Sequence, residues 1–399
     1  MYEEKVKQER KQAMKIFHIS DLHIGKQLHY YNLYEEQKEI LGQVIDKMKK
    51  HRPDVLLIAG DIYDKSVPSA EAHELFDEFL NDLADLEPAI PVLVIAGNHD
   101  SAMRLKYASA FLEKHKIFIS VLPPKNKEDY LKKVVLEDEY GKVNFYMMPF
   151  TKPGYIRGLV EEGTVPDYNN AIKIIIEREN IDYSQRNVLL AHQFFVSKDK
   201  EPDKSDSELS YISVGGLDSV DIQWVRDFDY VALGHIHKSQ SIGENHIRYS
   251  GTPYKYSVSE AEHKKGITMI TLGEKGCQNV YKSIPLKAEK DVRRISGELK
   301  EVLAMSTEDN RKDYVSITLT NEESINNPRE ILQEKYDNIL EIKIENTRTR
   351  NQLRETGDLD RVLDPLEAFK VFYQEINGQP LSEEEEKIMT DVIDSVKEG

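Results

Sequence analysis

The chain alternates short apolar runs with longer stretches in which apolar residues recur every three or four positions. Ile16-Phe17-His18-Ile19, Val55-Leu56-Leu57-Ile58-Ala59, Val92-Leu93-Val94-Ile95-Ala96, Val188-Leu189-Leu190-Ala191 and Tyr230-Val231-Ala232-Leu233 are runs of this kind. Their length and their aliphatic content predict strands covered on both faces. The stretches Leu33 to Lys50 and Ala70 to Leu83 carry helical spacing instead. Strand and helix thus alternate from Met14 to about Pro285, which predicts an α/β domain.

The pattern changes near Leu286. A helix is expected over Asp291 to Leu303, then a strand over Tyr314 to Leu319, a helix over Pro328 to Lys335 and a strand over Ile339 to Ile344. Apolar and polar residues alternate in both strands, so a small, half-exposed sheet in a separate α+β segment (286–346) is predicted. Residues 347–360 are polar and read as a linker. The segment 361–399 carries two amphipathic helices. Asp364-Pro365-Leu366-Glu367 combines an N-cap residue, proline at the first helical position and an acidic residue behind it. Leu366, Phe369, Phe372, Tyr373 and Ile376 then form one stripe, and Ile388, Met389, Val392, Ile393 and Val396 form another. Such stripes need burial, either on the same chain or on a partner.

The residues directly behind the apolar runs are chemically distinctive. Asp21-Leu22-His23, Gly60-Asp61, Gly97-Asn98-His99-Asp100, His192 and Gly234-His235-Ile236-His237 each stand at the end of a predicted strand. Ligands of layered α/β proteins gather at the carboxyl ends of strands. Carboxylate, amide and imidazole donors in this mixture suit Mn²⁺, Fe or Zn²⁺ better than Ca²⁺ or Mg²⁺. Each motif alone has an ordinary explanation: a polar loop start, a turn, or a satisfied core histidine. Their joint occurrence in order, each behind a strand, favours a metal site. Asp61 has no neighbouring donor of its own, so it is the natural bridge between two ions. Two ions roughly 3.5–4 Å apart can clamp the attacking and leaving oxygens of a phosphoryl transfer.

The ordered motifs resemble the calcineurin-like metallophosphoesterase superfamily. Three longer segments narrow the resemblance to the SbcD family of nuclease subunits: Phe17 to Gly25, Ser213 to Asp218, and Tyr230 to His237 continued by Arg248 to Ser257. The resemblance implies a layered β-sandwich flanked by helices, a capping domain over 286–346 that helps select DNA, and a helical tail. It assigns one ion to Asp21, His23, Asp61 and His237, and a second to Asp61, Asn98, His192 and His235. His99 would face the scissile phosphate as the catalytic acid, a role suited to imidazole near neutral pH. Asp100 would either orient His99 or cap the next helix. Asp64 stands where archaeal and eukaryotic relatives carry a second histidine, so no catalytic role is transferred to it.

The same resemblance implies two Mn²⁺ ions, DNA as substrate, and ATP-dependent exonuclease and hairpin endonuclease activity in DNA repair, recombination and replication. The partner would be an SbcC-like coiled-coil ATPase, bound through Leu366, Phe369, Phe372, Ile376, Ile388 and Val392. Helices after the first and third strands would form a homodimer within a heterotetramer. Two alternatives share the motifs: another phosphoesterase of the superfamily, acting on cyclic nucleotides or phosphoproteins, and a DNA-end-binding scaffold.

Composition adds boundaries. The chain has 399 residues, 39% hydrophobic and 31% charged, as in well-solvated globular proteins. A single cysteine, Cys277, excludes an internal disulfide framework and points to a reducing compartment. The charged stretch 1–13 reads as a flexible leader rather than a signal peptide. No apolar run approaches the ~20 residues a membrane helix needs, so a cytoplasmic protein is expected. The net charge of −17 is unusual for a DNA-binding protein, but thirteen acidic and four basic residues from Glu355 to Gly399 contribute −9 of it. Lys125, Lys127, Lys132, Lys133, Lys152, Arg157, Lys264 and Lys265 are candidate phosphate contacts. The weak basic field implies that tight DNA binding depends on a partner.

Overall fold

In the computed structural model the predicted strands assemble into two six-stranded sheets. The structure describes residues 13–161, 163, 166–198, 201–209 and 218–347, with positions 366, 369–370, 373, 381–382, 385–390 and 393. The first sheet runs, in spatial order, Val280–Pro285, Gly266–Leu272, Met14–Ile19, Val55–Ala59, Val92–Ile95 and Ile117–Ser120. Its last four strands are parallel. The second sheet runs Gln240–Ile242, Glu244–Tyr249, Tyr230–Gly234, Arg186–His192, Gly141–Met148 and Lys132–Asp138. Here Tyr230–Gly234 and Arg186–His192 lie parallel at the centre, with Gly234 opposite His192.

The apolar runs are continuous because both faces of each central strand are buried. Val55, Leu57 and Ala59 join Leu93, Ile95, Val188, Leu190, Tyr230 and Ala232 in the layer between the two sheets. Their neighbours Leu56, Ile58, Val92 and Val94 face the opposite way, beneath the helices of the first sheet. Leu189, Ala191, Val231 and Leu233 do the same on the second sheet. Period-two alternation therefore places every second residue in each of two cores. Helix Tyr34–His51 covers the first sheet with Ile40, Leu41, Val44, Ile45 and Met48. Helix Ala70–Ala84 packs beside it, started by the Ser69 side chain, which accepts from Ala72 N at 3.2 Å. Helix Tyr168–Arg178 covers the second sheet with Ala171, Ile172, Ile175 and Ile176. The layers are thus helix, sheet, sheet and helix.

The chain divides into two compact units: residues 1–294 with 307–316 and 336–340, and residues 295–306 with 317–335 and 341–399. Strands Val292–Gly297, Tyr314–Leu319 and Asn338–Ile344 form a three-stranded sheet in that order. Two expectations need correction here. The helix foreseen over Asp291 to Leu303 is a strand, Val292–Gly297, followed by a short helix, Leu299–Ala304. Gly297 breaks the periodicity, and Glu298 starts the helix anew by a reciprocal capping box with Glu301. Strand Tyr314–Leu319 is almost wholly buried rather than half exposed. Ser316 is 4% exposed, so its apparent alternation is not one of exposure.

Of the tail stripes, Leu366, Phe369, Tyr373, Ile388, Met389 and Ile393 are described, and Ile388 is 63% exposed. Phe372, Ile376 and Val392 lie outside the described residues, as do 1–12, Ser213 to Leu217 and the linker from 348. Among the described residues, no helix is long and apolar enough to cross a membrane.

Candidate metal centre

Every motif emerges at the carboxyl end of a central strand, and the two sheets bring these ends together. The loops after Ile19 and Ala59 run side by side as a continued ladder: Asp21 N donates to Gly60 O at 3.0 Å, His23 N to Asp61 O at 3.0 Å and Ile24 N to Ile62 O at 2.9 Å. Four donor residues sit in left-handed backbone: Asp21 (φ 53°), His23 (43°), Asp61 (49°) and His235 (96°). Non-glycine residues seldom adopt such conformations, and they collect where a site over-determines the backbone. Gly97 serves close approach rather than a turn, since a Cβ there would run into the side chain and backbone nitrogen of Asp61.

Asp61 stands at the centre. Its Oδ1 accepts from His99 N at 2.9 Å. Its Oδ2 lies 3.3 Å from His192 Nε2, 3.8 Å from His23 Nε2 and 3.9 Å from His99 Nε2. On one side, His192 Nε2 and His235 Nδ1 converge on Asn98 Oδ1 at 2.9 and 3.0 Å. On the other, His23 Nε2 faces His237 Nε2 at 3.2 Å, and the ligand atoms of Asp21 fall within reach of both. Asp21 Oδ1 also accepts from His235 N at 2.9 Å, while Ser20 donates to Oδ2. All seven donors expected from the sequence are brought together around Asp61; six of them are buried and Asn98 is half-buried.

The tautomers make this geometry informative. His192 Nδ1 donates to Ala59 O at 2.7 Å, so in the neutral ring Nε2 carries a lone pair aimed at two oxygens. His237 Nδ1 faces Glu260 Oε1 at 3.1 Å and Ser207 Oγ at 2.9 Å, so in the neutral ring its Nε2 lone pair is turned to His23 Nε2 at 3.2 Å. Acceptor atoms gathered in a buried space call for positive charge among them, supplied by a proton or by an ion. The donor set fits a binuclear divalent metal site, whose ions would satisfy both crowded groups at once.

Titration follows the same logic. Burial pushes Asp21 up, against the pull of His192 and His237. Burial also opposes charge on Asp61, but His192 and His99 override it and hold the carboxyl well below the usual range. Burial would likewise suppress the charged form of His192, yet the Asp61 carboxylate raises it to about 9. Burial dominates at His235, lowered to about 3, and it holds His23 well below its ordinary value.

His99 sits beside this cluster. Its Nδ1 donates to Asp64 O at 2.7 Å, and its ring meets that of His23 edge-on at 4.8 Å. Asp100 takes up another task than the two expected of it. Its carboxylate accepts from Ile62 N (3.1 Å), Tyr63 N (3.0 Å) and Gly97 N (2.8 Å), lacing the second and third loops together. Ser101, not Asp100, holds the N-cap position of the next helix. Burial and the nearby Asp61 charge raise Asp100 to about 6, against those three hydrogen bonds.

Several supporting residues were not foreseen. The Asp64 carboxylate lies 2.8 Å from Lys26 Nζ and 3.6 Å from His23 Nδ1. Glu208 accepts from His237 N, and Glu260 from the ring. Burial would raise Glu260, but Lys265 and His237 hold it well below its ordinary range. Lys265 is therefore no surface phosphate contact: its Nζ lies 2.6 Å from Glu260 Oε2 and its side chain is 7% exposed. Short-range sequence signals do not mark Asp64, Glu208 or Glu260, because the histidines they face, His23 and His237, are distant in the chain. Among the other histidines, His18 is buried against Tyr230 Oη at 2.8 Å, away from the donor clusters.

The chain belongs to the calcineurin-like phosphoesterase family, whose profile matches residues 14–239, the span that carries every donor described above. A second profile, the type 5 capsule protein repressor C-terminal domain, matches residues 289–377. Together the two matches make it an SbcD-like metallophosphoesterase. Solved structures show similarity at low identity. A putative 5'-nucleotidase from Staphylococcus aureus, in complex with alpha-ketoglutarate, is 12% identical with a TM-score of 0.39, covering 69% of this chain and 54% of that one. A Thermus thermophilus protein is 11% identical (TM-score 0.39; 68% and 99% covered). A dimetal phosphatase from Danio rerio is 12% identical (TM-score 0.37; 69% and 100% covered).

Proposed function

We propose that this chain is a metal-dependent DNA nuclease subunit that hydrolyses phosphodiester bonds. The observation that carries the reading is the position of Asp61, whose Oδ2 lies 3.3 Å from His192 and 3.8 Å from His23, between buried donors at strand ends of both sheets. Asp21, His23, Asp61 and His237 would hold one ion, and Asp61, Asn98, His192 and His235 the other, with Mn²⁺ suited to both. When bound, the ions supply Lewis acidity and a nucleophile at neutral pH. His99 is the catalytic acid. Its Nδ1–H is held by the Asp64 carbonyl, so in the imidazolium form it is the Nε2 proton that passes to the departing sugar oxygen, leaving a neutral ring.

The match over residues 289–377 supports DNA over a small phosphoester, and supports membership of a complex with an SbcC-like coiled-coil ATPase. Residues 286–346 act as the capping domain that orients DNA, and 361–399 dock on the ATPase through Leu366, Phe369, Phe372, Ile376, Ile388 and Val392. A homodimer within the resulting heterotetramer has a suitable surface. Met103, Tyr107 and Phe111 are 75%, 85% and 60% exposed along a groove of about 900 Å³ beside helix Ala70–Ala84. The setting is cytoplasmic, in DNA repair, recombination and replication.

The test is direct. Purified protein with Mn²⁺ is assayed on linear duplex and hairpin DNA, on cyclic nucleotides and on phosphopeptides, with and without the ATPase. Cleavage of DNA, made ATP-dependent on duplex ends by the partner, is the expected result. Turnover of small phosphoesters without DNA cleavage would replace this reading with another phosphoesterase.

A further inference from the structure

His237 is held differently from the other donors. Its ring Nδ1 lies 3.1 Å from Glu260 Oε1 and 2.9 Å from Ser207 Oγ, and that hydroxyl donates to the same Glu260 oxygen at 3.0 Å. Whichever route the proton takes, Glu260 is the final acceptor. The other carboxylate oxygen is occupied as well, by Lys265 Nζ at 2.6 Å and Thr252 Oγ1 at 3.1 Å. Glu260 is fully buried, with 0% exposure. A buried ionised carboxylate is costly unless every acceptor site is matched, and here they are matched by a lysine, one imidazole and three hydroxyls, the third being Ser257 Oγ at 3.3 Å from Oε1. The backbone of His237 is fixed from the other direction, where Glu208 accepts from its N–H while also accepting from Ser205 N at 2.8 Å. The two carboxylates come from separate segments, 205–209 and 257–260, and meet on this one histidine.

We propose that Glu260 is a positioning residue for the metal centre: it fixes the tautomer and orientation of His237 so that Nε2 is presented beside His23 and Asp21. This rests on the metal reading above. An acceptor on Nδ1–H raises the basicity of the opposite nitrogen, and loss of such a partner typically weakens metal binding by roughly 10–100-fold. The effect is confined to one half of the site. His192, in the other half, is set by a backbone carbonyl, Ala59 O, that no side-chain change removes.

The full-length chain, stripped of metal, is titrated with Mn²⁺ alone as wild type, as Glu260→Gln, and as Glu260→Gln with Lys265→Met. The double variant removes both buried charges together, so no unpaired lysine is left in the interior. Thermal unfolding of each metal-free protein is recorded alongside, as are the Co²⁺ absorption spectra. The expected result is two ions in the wild type. Both variants then bind one ion with unchanged affinity and the other roughly 10–100-fold more weakly, with a changed Co²⁺ spectrum and an intact unfolding transition in the double variant. Two ions bound at wild-type affinity in both variants would overturn the proposal. So would equal weakening of both ions together with loss of the unfolding transition, the mark of a merely structural role. A wild type that binds no pair of ions would overturn the metal reading itself along with the proposal.

Discussion

The two halves of the metal centre are built by different means. Around His192 and His235 the ring is set by main chain: Ala59 O takes the His192 proton, and His235 Nδ1 and His192 Nε2 share the single Asn98 oxygen. Around His237 the ring is set by side chains, Glu260 and Ser207, and His23 Nδ1 faces the Asp64 carboxylate across 3.6 Å. A main-chain acceptor comes free with the fold, since the strand that carries Ala59 must end beside the strand that carries His192. A side-chain acceptor has to be specified separately. The first half should therefore tolerate surrounding substitution, and the second should be adjustable by it.

The substitution that most severely breaks this contrast is at the residue common to both halves. Asp61→Ala is expected to abolish hydrolysis, by about a thousandfold or more, since it removes the shared ligand of a charge-stabilising pair; turnover of plasmid DNA with Mn²⁺ checks it. His99→Ala should lower cleavage by roughly 10²–10⁴-fold, the usual span for general acid catalysis, while calorimetric titration still finds wild-type Mn²⁺ affinity. Loss of metal binding in that variant would move His99 into the ligand set. Leu57→Ala, in the layer between the sheets, should cost about 2–5 kcal/mol of stability in chemical unfolding, and should weaken the two ions equally because it disturbs the platform beneath both halves. Asp100→Asn is expected to have the smallest effect. It keeps one oxygen for Ile62 N and Gly97 N and loses only the acceptor of Tyr63 N, so DNA cleavage should fall less than tenfold, within about 1.4 kcal/mol; a larger loss would give Asp100 a direct part in catalysis.

Legibility in the sequence followed the same division. The runs at 55–59, 92–96, 188–191 and 230–233 announced strands because both faces of each are buried, and burial of that kind leaves aliphatic residues with a single tyrosine, Tyr230. The donors were legible because each directly follows such a run. Helix Tyr34–His51 lies within one residue of its expected bounds, since its apolar stripe sits on a sheet. Glu208, Glu260 and Lys265 were illegible, because a buried ion pair is written as ordinary charged residues and only the folded chain brings His237 to both carboxylates. Lys265 even passed for a surface contact. The strand Val292–Gly297 was misjudged for a related reason. Ile295, Leu299, Val302 and Leu303 keep helical spacing across Gly297, where the backbone changes course.

The central claim is that two ions share Asp61, and anomalous diffraction from Mn²⁺-soaked crystals tests it most directly. The account predicts two peaks roughly 3.5–4 Å apart, both against the Asp61 carboxylate, one beside His23 and His237 and the other beside His192 and His235. A single peak, or two peaks with Asp61 touching only one of them, would contradict it.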